Sequence, residues 1–554
     1  MAFVPASSPP VEPADPTEEG GRRLWRWTVI WLLGAFALRT ALSSLVPLLP
    51  DETYYWEWSR RLESGYFDHP PGIALLIWAG TALFGATELG VRAGPSAAAL
   101  LTHSGAVAAA WVLAGRGLVG ARAALRAAAL MTLLPIATLG LVLATPDAAL
   151  FATAMVALLA VERALAARFR SWASFGWWTL AGVALGGAFV AKYTAVLLPM
   201  GLVIACLIHP ALRRRFAEPG PWWASAIALT LFAPVVVWNA FNDWASFRFQ
   251  LGHGLGSGPA RGTPLTRIAE MFGGQVGLAS PILFVLLAIA VIAALREGWR
   301  TRAHAEVTDL APRRFALAVV AITPLLFFTM SAWRKSVEAN WPAMIYPAAV
   351  LLLATHSGAV VTGRWWRRGL ALGALLLGVV AVQAWYPVLP LKPAKDPIAR
   401  AHGWTTLAQA AQRALHDPWL DGTIDRWIAA DRYQDASELA FLMPEHPPVM
   451  ALNLGGRTNQ YDIWPNAWTR IRPGDALVAV FDANPKGDSL AVRVGSWFKE
   501  TRPGEEVVLR RGAGDITHRR IWLYRIAQDV PRDRAAALAD TRSTPLPNAA
   551  GSSR

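Results

Sequence analysis

Apolar residues in this chain do not alternate with polar ones over most of its length. They come in long runs separated by short charged stretches. The runs are Leu24–Val46, Gly105–Ala114 with its flanks, Ala123–Leu143, Ala148–Leu159, Leu180–Val190, Val196–Ile208, Trp222–Val237, Val276–Leu295, Phe315–Phe328, Trp341–Leu353 and Leu370–Trp385. Several reach the roughly 20 residues that a bilayer-spanning helix needs. The shorter ones reach it once flanking Gly, Ser and Thr are included, because small residues suit helix–helix contact in lipid. The pattern predicts about eleven spans. Beyond Leu391 the character changes: strand-like runs stand at Ile428–Ala430, Val449–Asn453, Ala476–Phe481, Glu506–Leu509 and Ile521–Tyr524. Amphipathic segments at Leu407–Leu415 and Ala436–Met443 read as helices. The expected organisation is a helical membrane domain over residues 21–390 and an α/β domain over 391–528. Residues 1–20 and 529–554 are expected to be disordered tails.

Composition agrees with lipid as the solvent. The chain is 54% hydrophobic and 16% charged, whereas soluble domains run nearer a quarter charged. A net charge of +14 raises the question of nucleic acid, but the arginines gather in the short loops between apolar runs. Arg22, Arg23 and Arg26 precede the first run, Arg213, Arg214 and Arg215 follow the sixth, and Arg364, Arg367 and Arg368 follow the tenth. Every second loop is Arg-rich, an orientation signal that places the amino terminus inside and excludes a nucleic-acid reading. The alternate loops then face outward: Pro47–Gly90, the turns at Thr145–Asp147 and Lys192-Tyr193, Phe241–Gln275, Trp333–Asn340 and everything after Tyr386. The expectation is a multi-pass bacterial inner-membrane protein with a periplasmic carboxyl-terminal domain. The first run reads as an uncleaved anchor. The single cysteine, Cys206, lies inside a run, which rules out a disulfide framework.

Polar residues at the outward face carry the candidate chemistry. Asp51 and Glu52 follow the first run directly, where a carboxylate is costly to desolvate unless paired or used. Tyr54, Tyr55, Trp56 and Trp58 come next, rings expected at the headgroup level, within an interfacial helix over Thr53–Glu63. Asp68-His69-Pro70-Pro71 turns the chain back toward the membrane. Asp147 follows Thr-Pro at a run start, a position that suits either a helix N-terminus or a site. Lys192, Arg334 and Lys335 are outward cations that either serve an anion or snorkel to headgroups.

The segments DETYYWEWS and GYFDHPPG resemble the first loop of membrane glycosyltransferases of the protein O-mannosyltransferase and lipid A aminoarabinose transferase superfamily. TPDA at Thr145–Ala148, AKYTA at Ala191–Ala195, QLGHG at Gln250–Gly254 and RKSVEANWPAMIYP at Arg334–Pro347 match in the same order. ADRYQDASELAF and NLGGRTNQYDIWP resemble a bacterial family 39 branch. The resemblance runs from Leu24 to about Tyr524. It implies a GT-C-like fold and an inverting transferase that moves a hexosyl or pentosyl unit from a polyprenyl-phosphate donor. The acceptor would be a periplasmic glycan, lipid or protein.

Such transfer needs a base for the acceptor hydroxyl and positive charge for the departing phosphate. The resemblance makes Asp51 the base, with Glu52 beside it in the catalytic pair. Tyr54, Tyr55, His69, Lys192, Tyr193, Arg334, Lys335, Glu338 and Asn340 become candidate substrate contacts. Asp68, Asp147 and His253 match positions that resemble the ligands of a divalent metal in some relatives. Zinc, manganese and magnesium would all suit oxygen and imidazole donors, so metal-assisted and metal-independent transfer both stay open. Asp431, Arg432, Gln434, Asn459, Gln460 and Tyr461 stand at predicted strand ends or turns of the outer domain. The rival reading is a polyprenyl-lipid transporter or flippase. Those proteins place charges near the bilayer midplane in repeated halves, whereas here the charges gather at one face.

Overall fold

The computed structural model describes residues 16–255 and 262–543. Among the described residues, eight helices are long and apolar enough to cross a membrane, and ten spans result if each of two sharply bent helix pairs counts as one. The chain is a multi-pass membrane protein, with fewer spans by this measure than the eleven expected. Prolines explain part of the difference. Ala123–Leu143 is not one helix but Gly117–Leu133 followed by Pro135–Val142. The run at Val196–Ile208 bends by 113° into Pro210–Ala217. Val276–Leu295 is cut at Ser280, whose φ of 64° ends the helix Pro264–Ala279 before Pro281–Thr301 begins. Trp341–Ala354 is apolar but short.

Close packing replaces hydrophobic driving force between helices in lipid. The helices Gly72–Phe84 and Glu88–Ala114 meet backbone to backbone. A Cβ on Gly94 would lie 2.0 Å from the Leu76 carbonyl oxygen, and one on Gly80 2.2 Å from that of Gly90. Gly90 and Gly94 are one turn apart, so both fall on the contact face. One loop arginine departs from the solvated pattern expected of it. Arg215 is buried, pairs with Glu218 and donates to the Leu165 and Ala167 carbonyls, closing the end of the helix Pro146–Ala166.

After the helix Arg364–Trp385 the chain forms a five-stranded sheet. Its strands are β1 (Arg426–Ala430), β2 (Met450–Ala451), β3 (Ala476–Asp482), β4 (Phe498–Arg511) and β5 (Gly514–Ala527). The order is β2-β1-β3-β5-β4, with β1 parallel to β2 and β3, and β5 antiparallel to β3 and β4. Ile428 pairs with Val478 and Ala479 with Trp522. β4 is much longer than the apolar run Glu506–Leu509 suggested. It is an edge strand with charged outward positions and a register shift at Pro503/Glu506, features that blunt an edge and hide it from a hydrophobic pattern.

Two further expectations change. The helix Pro16–Leu45 already includes residues 16–20, and the helix Arg534–Ser543 occupies part of the expected carboxyl-terminal tail. Arg534 ties that helix to the Asn453 and Gly456 carbonyls at 2.8 and 2.7 Å. Residues 1–15 and 544–554 lie outside the described residues.

The rings expected in a headgroup belt are instead packed against the sheet domain. Tyr54, Trp56 and Trp58 lie on the helix Pro50–Ser59 and are at most 3% exposed. Trp56 meets Phe441 edge-on at 5.1 Å, and Tyr54 lies 4.5 Å from Tyr433. One apolar cluster joins Tyr54, Trp58 and Ile73 to Leu439, Ile428 and Val478 of the sheet domain.

Candidate active site

Pro50 supplies the preset φ at the start of the helix Pro50–Ser59, so Asp51 and Glu52 both fall in its first turn. Acids are favoured there by the helix dipole. Adjacent positions nevertheless point in different directions, and the two carboxylates have different fates. Glu52 turns inward. It is 1% exposed, accepts from Arg92 Nε at 2.7 Å and Nη2 at 2.5 Å, and also takes the Leu49 and Ala144 amides at 2.9 and 2.8 Å. Arg92 in turn donates to the carbonyls of Ser43, Val46 and Pro47. Glu52 therefore ties the first loop together and does not line the cavity described next, which corrects its place in the catalytic pair.

Asp51 opens into a cavity of about 490 Å³. No donor among the described residues bonds its carboxylate. Burial pushes its pKa above the usual carboxylate range. Arg400 opposes that rise, Asp68 adds to it, and Arg457 opposes it in turn. An unpaired carboxylate with a raised pKa is suited to accept a proton.

Across the cavity stands Lys192, at the end of the helix Trp172–Ala191. Its ammonium donates to Asp147 Oδ1 at 2.7 Å, and Asn340 Nδ2 donates to Asp147 Oδ2 at 3.1 Å. Asp147 is thus the holder of Lys192. One of the three ammonium hydrogens is used there, leaving others for a ligand. Asp68 is likewise taken: Tyr54 donates to Oδ2 at 2.8 Å and Arg457 pairs with Oδ1 at 2.7 Å. Burial still raises its pKa despite Arg457. Tyr54 also accepts the Gln460 amide at 2.8 Å, so its hydroxyl bridges the first loop and the sheet domain.

The remaining expected contacts divide. Tyr55, His69, Tyr193 and Glu338 line the cavity. Tyr193 shares a hydrogen bond with Ser246 at 2.7 Å. Lys335 reaches the Gly252 carbonyl at 3.4 Å and lies 5.6 Å over Trp341, a cavity residue. Arg334 lines a neighbouring groove with Phe327 and Trp333 and does not line the cavity. In the sheet domain Tyr461 is a buried packing ring, Asn459 caps the turn Gln460–Asp462, and Gln460 Oε1 accepts the Phe67 amide at 2.7 Å.

Asp68 and Asp147 each already carry a cationic partner. No group of three His, Cys, Asp or Glu side chains converges among the described residues. The side chain of His253 lies outside them.

Two polar site residues from the sheet domain escaped the sequence reading. Tyr433 and Arg457 line the cavity, and Arg457 stacks 5.0 Å over Phe249 and 5.6 Å over Tyr433. Both stand inside the motifs ADRYQDASELAF and NLGGRTNQYDIWP, so the signal was present, but only folding shows that they reach the first loop. An apolar wall of Val196, Leu197, Leu251, Phe327 and Phe328 completes the cavity.

A family model described as dolichyl-phosphate-mannose-protein mannosyltransferase matches residues 68–238. The lipid A galacturonosyltransferase RgtD of Rhizobium johnstonii is 29% identical over 336 residues, covering 60% of this chain. The match spans 64% of that relative, less than two thirds of its length. The structure of ArnT from Cupriavidus metallidurans bound to undecaprenyl phosphate superposes with a TM-score of 0.61 at 16% identity. It covers 90% of this chain and 98% of that one. The apo state of the same protein gives 0.55 at 15% identity, with the same coverage of both chains.

Proposed function

We propose, from the premise that the chain is a GT-C glycosyltransferase family 39-like protein, that it moves a sugar from a polyprenyl-phosphate donor to an envelope acceptor. Asp51 serves as the general base. The observation that carries this reading is the pairing of opposites across one cavity: an unbonded carboxylate at Asp51 and a held ammonium at Lys192. Lipid A is the favoured acceptor class, since RgtD is named for it. The proposed setting is the inner membrane, with the sheet domain on the periplasmic side, as the arginine distribution indicates.

In the proposed step the acceptor hydroxyl lies against Asp51. As its oxygen attacks the anomeric carbon, Asp51 takes the proton, and the bond from that carbon to the phosphate oxygen breaks on the opposite face. The electron pair leaves with the lipid phosphate. Lys192 and Arg457 offer fixed positive charge to that oxygen anion. The prenyl chain would lie along the wall of Val196, Leu251 and Phe327. In this scheme Asp68 and Asp147 hold Arg457 and Lys192 in place.

The test is turnover by purified protein in nanodiscs, with labelled polyprenyl-phosphate sugars, alongside mass spectrometry of lipid A, glycans and proteins from cells with and without the gene. Asp51→Asn is expected to lose transfer at wild-type abundance. Wild-type turnover in that variant would refute the base assignment. A wild-type protein that moves the labelled lipid across the bilayer without forming a glycosidic bond would replace the transferase reading with a flippase.

A further inference from the structure

The sheet domain holds a second cavity, of about 310 Å³, that the reaction scheme leaves unused. It lies where the three parallel strands end. Asp431 follows β1, Asn453 follows β2, and Asp482 closes β3. β1 stands between β2 and β3, so the chain leaves it toward β2 on one side while β3 lies on the other. Such a reversal opens a crevice at the carboxyl ends of parallel strands, which is where open α/β sheets bind ligands. The helices Tyr433–Leu442 and Pro485–Gly495 begin at this crevice, adding partial positive charge.

The lining is polar and carries both signs. Arg432, Arg457 and Lys486 contribute cations, with Arg432 3.8 Å from Asp482 and Arg457 paired with Asp68 at 2.7 Å. The acids are largely committed: Arg519 pairs with Asp482 at 2.6 Å, and Asp431 Oδ1 accepts the Leu454 amide at 2.8 Å. The floor is a glycine pair. A Cβ on Gly455 would meet Lys486 Nζ at 3.5 Å, and one on Gly456 would meet Asn453 Oδ1 at 2.5 Å. Asn453 adopts φ of 50° and donates to the Arg457 carbonyl at 2.8 Å, which holds this loop in place. Tyr433 and Arg457 line both this crevice and the cavity that contains Asp51. They form a shared wall.

We infer that this crevice is the acceptor subsite, and that it takes a phosphorylated saccharide whose reacting hydroxyl extends past Tyr433 and Arg457 to Asp51. The inference rests on the transferase reading and adds to it where the acceptor sits and what chemistry it carries. Hydroxyl groups find acceptors and donors in Asp431, Gln434 and Asn453, and Lys486 and Arg432 supply the charge a phosphate requires.

The experiment measures binding, so that its failure is separable from failure of the base assignment. The full chain in nanodiscs is titrated calorimetrically with a deacylated glucosamine disaccharide bisphosphate, and with the same disaccharide lacking phosphate. The bisphosphate is expected to bind at least ten-fold more tightly. Lys486→Glu is expected to weaken it at least ten-fold, and Gly455→Leu, which fills the crevice in an ordinary backbone conformation, to weaken it similarly. Asp51→Asn is expected to bind as wild type does. Equal affinity for the bisphosphate in wild type, Lys486→Glu and Gly455→Leu would overturn the assignment, as would absence of binding by the wild type. Equal affinity for the two disaccharides would overturn the phosphate requirement. Wild-type turnover in Asp51→Asn would instead remove the base and leave the crevice result standing.

Discussion

Replacing Glu52 by Gln separates two acidic neighbours that the sequence presents as a pair. In the structure Glu52 accepts two bonds from Arg92 and one each from the Leu49 and Ala144 amides. A glutamine keeps one acceptor oxygen. Its amide nitrogen then faces a donor, and Arg92, 1% exposed, loses its counter-charge. Removing one partner of a buried ion pair costs about 3–5 kcal/mol, because the other charge stays buried. That is a large share of the roughly 5–15 kcal/mol that holds a typical domain folded. The expected outcome is a clear drop in thermal midpoint, followed by fluorescence-detected size exclusion, with turnover per folded molecule within about ten-fold of wild type. Adding Arg92→Met should recover part of the loss by removing the stranded charge, although the Ser43, Val46 and Pro47 carbonyls lose their donor. Asp51→Asn should do the reverse: an unchanged midpoint and turnover reduced by about 10²–10⁴, the range for a positioned base. A Glu52→Gln protein with wild-type melting and no turnover would refute the division of labour.

Other expectations follow from the same contacts. Asp51 must be ionised to accept a proton, so kcat/KM should rise with pH through a pKa above the ordinary carboxylate range and then level off. Arg400 lowers that pKa, so Arg400→Gln should move the acid limb to higher pH; an unmoved limb in a pH–rate profile would count against Asp51 as the titrating group. Lys192→Met should lower turnover by about 10²–10³ if its ammonium stabilises the departing phosphate, by analogy with loss of one oxyanion donor, and steady-state kinetics would show whether kcat carries the loss. Glu63 accepts from Trp238 of a membrane helix and Trp464 of the sheet domain, both at 2.7 Å. Glu63→Ala should cost about 1.5–3 kcal/mol per lost bond to charge, and hydrogen exchange should rise around Trp464. Gly94→Val should abolish assembly, since its Cβ meets the Leu76 carbonyl at 2.0 Å; recovery of a folded, monodisperse protein would contradict that packing.

Much of the architecture was legible because it depends on local pattern. Apolar run length decides what can sit in lipid, and the runs at Leu24–Val46, Ala148–Leu159 and Leu370–Trp385 each became helices long enough to span. Short apolar runs bounded by turn residues placed β3 to within one residue and β1 to within two. Asp51 at a helix start and Lys192 at a helix end were also visible as polar residues beside apolar runs.

What pattern could not supply was direction and partnership over long separations. Asp51 and Glu52 are indistinguishable in sequence. A rotation of one helical position sends one to the cavity and the other to Arg92, 40 residues away. Tyr54 and Gln460 meet across 406 residues, so rings that suit a membrane interface were free to be read as one until the sheet domain covered them. The sequence offered Asp68 and Asp147 as candidate ligands, and only the folded chain shows that they pair with Arg457 and Lys192. The first outward loop supplies the carboxylate at Asp51, but Tyr433 and Arg457 reach its cavity only once the sheet domain has docked.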